Sequence, residues 1–118
     1  ALVGYFTKWG DGAVDCHPIG NLYKQQVRQL ARHLGVEEDL VTKTPTAGMW
    51  VGQTDEEELG IDYDTLDAIL ALAIDGPFSA SSTARQLEGV EESEVARIVA
   101  MVERSAHKRE LPPAPKRL

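Results

Sequence analysis

The chain has 118 residues, 42% of them hydrophobic, with 19 acidic against 12 basic side chains and a net charge of −7. This suits one domain or a large part of one with a buried core, and excludes a disordered tail. The acidic balance argues against nucleic acid as a partner and the lack of a long apolar run argues against a membrane span, although local lysines can still bind a nucleotide.

In chain order, "LVGYFTKW" at 2–9 is rich in β-formers and predicts a short strand. A Gly/Asp loop follows to about Pro18, with Lys8, Asp11 and Asp15 set among Gly10, Gly12 and Ala13. A structural turn requires neither a lysine nor two aspartates. Near 21–34, Tyr23, Val27, Leu30, Ala31 and Leu34 fall on one face of a helix. Gly35 stands where a left-handed C-terminal cap belongs. "DLVTKTP" suggests a very short strand at Leu40 and Val41, stopped by Pro45.

Residues 44–61 show neither period and carry Met49, Trp50 and the acidic block Asp55–Glu58. Long ordered loops are uncommon in compact domains and often act as lids, so 44–60 is expected to be a mobile active-site loop. A second helix is predicted over about 64–75, where Leu66, Ile69, Leu70, Ala73 and Ile74 form the stripe and Gly76-Pro77 ends it. "SASSTARQLEG" reads as a serine-rich connection with one short helical turn. A third helix over about 92–107 places Val95, Ile98, Val99, Val102 and Ala106 on one face. It ends in the basic "HKR", and "LPPAP" forbids further helix. This order fits the closing half of an α/β sheet better than an all-α bundle. The opening "ALVGYF" carries no helix-start or turn signal, which suggests the C-terminal part of a longer chain.

A single cysteine, Cys16, allows no internal disulfide and fits a reducing cytoplasm. Cys16, His17, His33 and His107 match no metal-ligand spacing, and nothing places a base beside Cys16 to make it a nucleophile. Lys24, in the first turns of the first helix, is either a solvated lysine or a phosphate clamp at a helix N-terminus. "TDEEE" has Thr54 and Glu57 in capping-box register; the alternative role is a carboxylate on ligand hydroxyls.

"GYFTKWGDGAVD", "PIGNLYKQQVRQLARHLG", "KTPTAGMWVGQTDEEELGIDYDTLD" and "HKRELPP" together resemble the ammonia-dependent NAD synthetases in order and approximate spacing, from Gly4 to Pro113. The resemblance implies the C-terminal part of a doubly wound parallel-sheet domain of the adenine-nucleotide hydrolase-like, ATP-pyrophosphatase group. It implies a homodimer that uses ATP, Mg2+ and ammonia to amidate deamido-NAD through an NAD-adenylate, giving NAD, AMP and pyrophosphate. On these motifs Lys24 and Thr46 match the residues that contact ATP and stabilise charge around its α-phosphate. Lys8, Asp15, His107 and Lys108 match those on deamido-NAD, with Asp11 and Glu58 as weaker candidates. Many relatives carry an aspartate after "PTA" where this chain has Gly48. The family's phosphate-binding "SGG" loop and its magnesium ligands match no stretch here, one ligand being expected just before Ala1. The 118 residues alone are therefore expected to be inactive. Two other readings remain open: the synthetase part of a glutamine-dependent NAD synthetase, and a non-catalytic dimerisation or nucleotide-binding module.

Overall fold

The computed structural model describes residues 1–10, 12–111 and 114–115. Its core forms where three apolar stripes meet. Helix α4 (Tyr63–Leu70) contributes Leu66, Ile69 and Leu70, and helix α6 (Glu92–Arg104) contributes Val95, Ile98 and Val102. Leu59, the last residue of α3 (Asp55–Leu59), and Ile61 just beyond it close the cluster. Both long stripes have the helical period that the sequence shows, so each helix has one face to bury and buries it against the other.

Helix α1 (Lys24–His33) lies against α4, and the short α2 (Glu38–Val41) follows it. Gly35 is left-handed, at φ 77°, as a C-terminal cap requires. After α4 the chain continues as a π-helical segment, Ala71–Asp75, and stops at Gly76. The serine-rich connection is more ordered than one turn: it forms α5 (Ala80–Gln86), with Ser79 as its cap accepting from the Ser82 amide. α6 ends at Arg104, and α7 (Ala106–Arg109) follows a break at the buried Ser105. The single helix expected over 92–107 is thus two.

Both expected strands are corrected. Leu40 and Val41 are helical, in α2, with Val41 buried. Residues 2–9 run as turns, with the Gly4 amide bonded to the Ala1 carbonyl and the Phe6 amide to the Gly4 carbonyl. β-propensity describes a residue's fit to a pleated, half-buried surface, and a strand exists only through a partner's backbone. No described segment lies extended beside 2–9, and no strand forms among the described residues, so the parallel sheet finds no member in them. The C-terminal end satisfies the carbonyls of this segment instead. Lys108 Nζ donates to the Gly4 and Phe6 carbonyls at 2.7 and 2.9 Å. Arg109 and the Ser105 hydroxyl donate to the Leu2 carbonyl. Gly4 is required there: its φ is 74°, and an added Cβ would collide with Ser105.

The stretch 44–61 is not structureless. Thr54 Oγ1 accepts from the Glu57 amide and starts α3, so the capping signal is a true helix start. Gly60, at φ 67°, ends it. Between Thr46 and Gly52 the chain remains irregular, and Met49, Trp50 and Val51 stand in solvent.

Candidate functional site

Two adjoining clefts of about 460 and 430 Å³ share Tyr5 and Tyr63 as their common wall. The first holds Lys24, Tyr23, Asp67 and Asp75; the second holds Thr46, Gln53, Asp55, Glu58 and Lys108. Of the residues singled out by sequence, Lys24, Thr46, Lys108 and the weaker candidate Glu58 therefore face neighbouring clefts. Lys8, Asp15 and His107 line neither, and Asp11 lies outside the described residues.

Lys24 opens α1, half-buried, with its Nζ 5.4 Å from the centre of the Tyr63 ring. A cation over the face of an aromatic ring is attracted by its quadrupole. Thr46 is exposed, and its hydroxyl accepts from the Gly48 amide at 3.0 Å. Lys108 gives two of its three donors to the carbonyls described above and also lies over the Phe6 ring. His107 Nδ1 sits 3.0 Å from the Arg104 carbonyl, Lys8 lies over Trp9, and Asp15 is exposed.

Three tyrosines each donate to a carboxylate: Tyr5 to Glu58 at 2.8 Å, Tyr23 to Asp75 at 2.6 Å and Tyr63 to Asp55 at 3.0 Å. The bond to Glu58 raises the Tyr5 hydroxyl from 10.0 to about 12. Burial first, and then the bonded carboxylate, raises Tyr23 and Tyr63 further. Glu58 also accepts from Gln53, whose own side-chain oxygen accepts from the Met49 amide at 2.7 Å. This chain of bonds ties the irregular 46–53 stretch to Tyr5.

Asp67 is the residue that the sequence reading missed. It is only 8% exposed, and its carboxylate accepts from the Gln25 amide of α1 at 2.8 Å. Burial raises its pKa. Its signal was an aspartate beside Leu66 and close to Ile69 and Leu70 on a stripe otherwise apolar. Tyr63 had no such signal, since tyrosine at the start of a helix is ordinary. Among the described residues no three His, Cys, Asp or Glu side chains cluster to hold a metal ion.

Residues 1–112 match the model of the NAD synthase family, and the chain belongs to that family. It is 60% identical over 115 residues to the NH(3)-dependent NAD(+) synthetase of Halobacterium salinarum, covering 98% of this chain and 42% of that protein. Relatives of the same description from Archaeoglobus fulgidus and Pyrococcus horikoshii are 52% and 51% identical, over 95% and 97% of this chain. The solved structure of NMN synthetase from Francisella tularensis superposes with a TM-score of 0.72 at 39% identity, over 97% of this chain and 42% of that one. The chain thus spans less than half the length of these relatives. No described helix is long and apolar enough to cross a membrane.

Proposed function

We propose that this chain supplies part of the substrate clefts of an ammonia-dependent NAD synthetase, working as a homodimer in the cytoplasm. The single observation that carries this reading is the 60% identity to a synthetase of that description across 98% of the chain. The reaction is amidation: the carboxylate of deamido-NAD is adenylated by ATP, and ammonia displaces AMP. Bringing two polyanions together is mainly a matter of positioning and charge neutralisation. Lys24 lines the first cleft and offers its ammonium there, a point charge that attracts phosphate. Thr46 lies in the adjoining cleft, and its hydroxyl, which accepts from the Gly48 amide, still has its O–H to donate to a ligand. Lys8, Asp15, His107 and Lys108 serve deamido-NAD. Lys8, Asp15 and His107 stand outside both clefts, so their role requires the ligand to reach beyond the clefts or a second protomer to complete the site.

Lys24→Ala in the complete enzyme should slow adenylation by about 10²–10³, the usual loss for one electrostatic contact to developing charge, while the KM for deamido-NAD holds. An adenylation rate close to the parent's would remove Lys24 from the reaction. The 118 residues alone, with no stretch matching the family's phosphate-binding loop, should turn over no deamido-NAD.

The Francisella neighbour's name supports a second reading, amidation of the mononucleotide. Comparing kcat/KM for deamido-NAD and for nicotinate mononucleotide separates the two. Higher efficiency on the mononucleotide overturns the first.

Of the stretch 44–60, the irregular part before α3 acts as a lid over the adenylate, while α3 stays anchored by Leu59 in the core. Met49, 71% exposed, and Trp50 are too apolar for a permanently solvated tip. Amide exchange at 46–53 should slow when ATP and deamido-NAD are both bound. Equal, strong protection with and without them would refute the lid.

A further inference from the structure

We infer that Tyr63 and Asp67 of α4 are positioning residues for Lys24. This rests on the reading of Lys24 as the cation that faces ATP.

The first turn of any helix carries amides without intrahelical partners, and α1 does not satisfy its own. Its N-cap is Tyr23, a residue with no short side-chain acceptor; Gln26 bonds back to the Tyr23 amide at 2.9 Å. The free amide of Gln25 is taken by Asp67, which belongs to another helix. A cap supplied from a different element fixes where the helix begins as well as satisfying a donor. Tyr63 lies four residues before Asp67, so both project from one face of α4. Its ring lies against the Lys24 ammonium, and its hydroxyl is held in turn by Asp55. α4 therefore grips the first turn of α1 at two points, one on the backbone and one at the tip of the lysine. One turn further along α1, Arg28 faces Asp64 at 3.7 Å and continues the seam.

The chemistry needs this. Lysine is a point charge on a flexible stem with several rotatable bonds, and it directs its charge only where something restrains it. A carboxylate within bonding distance would restrain the ammonium but would also neutralise it. An aromatic face restrains it and leaves its N–H donors free for an anion. Asp67 is buried and committed to a backbone amide, so it orients the helix without pairing with Lys24.

The test uses the complete enzyme with Tyr63→Leu, Tyr63→Phe, Asp67→Leu and Asp67→Asn. In the parent the ring beneath the ammonium should shift the Lys24 ε-methylene protons upfield. Tyr63→Leu should move these resonances downfield and lower the adenylation rate about tenfold, the worth of one cation–π contact, with the KM for deamido-NAD unchanged. Tyr63→Phe keeps the ring and should keep both the shift and the rate. Asp67→Leu should speed exchange of the Gln25 amide and lower the rate by a similar factor. Asp67→Asn retains an acceptor oxygen and should rescue both. Lys24 resonances unchanged in Tyr63→Leu, or Gln25 exchange unchanged in Asp67→Leu, would overturn the positioning. Lys24→Ala is run alongside. If it leaves adenylation intact, the ATP reading of Lys24 fails, and the resonances and exchange rates still report whether α4 holds the side chain.

Discussion

The α4–α6 core and the segments that wall the clefts are held by different forces. In the core, Leu66, Ile69, Val95 and Ile98 are buried side chain against side chain, and the stabilisation scales with apolar area. Around the clefts, segment 1–8 hangs from the cations and the hydroxyl of 105–109, and 46–53 hangs from Gln53, Glu58 and Tyr5. Contacts of the first kind are non-directional and scale with the apolar area buried. Those of the second kind are few, directional and exchangeable for ligand contacts. A region that opens to admit ligands is expected to use the second kind.

The comparison breaks most visibly if the core is cut. Ile98→Ala removes a side chain with no exposed surface and should cost about 2–5 kcal/mol, read from the urea midpoint. A loss well under this range would mean that α4 and α6 are not the main source of stability. Lys108→Met keeps the apolar stem and removes two donors, so the Gly4 and Phe6 carbonyls lose their partner. The cost should be about 1–3 kcal/mol and confined to faster amide exchange in residues 2–8, with α4 and α6 unaffected. Exchange that spreads into α6 would show that the two regions are one cooperative unit.

Glu58→Gln gives the smallest effect. Tyr5 is raised to about 12 by Glu58, above its ordinary 10.0. A raised folded pKa means that this bond stabilises fully below the ordinary value and that its contribution is lost as pH rises through about 12. In the variant the Tyr5 titration, followed by tyrosinate absorbance, should fall back toward 10.0, while Tyr23 and Tyr63 keep their raised values. An unmoved Tyr5 would show that Glu58 does not hold it.

Much of this protein was set by local sequence. The stripes of Leu66, Ile69 and Leu70 and of Val95, Ile98 and Val102 name two helices whose expected faces are buried, while the stripe of Tyr23, Val27, Leu30, Ala31 and Leu34 names a helix that forms with Leu30 and Leu34 left exposed. Thr54 and Gly60 mark the two ends of α3 by chemistry that acts within four residues. The four motifs also placed the chain in its family. What sequence alone could not decide was long-range. The β-formers at 2–9 needed a backbone partner and instead met Ser105, Lys108 and Arg109, about a hundred positions away. Val41 is buried in a helix because tertiary packing outweighs the weak intrinsic preference of a two-residue run. The pairing of Asp67 with the Gln25 amide, and of Tyr63 with Lys24, depends on two helices crossing at one register. Periodicity shows which face of a helix is apolar, but only the packed structure shows what its polar exceptions meet.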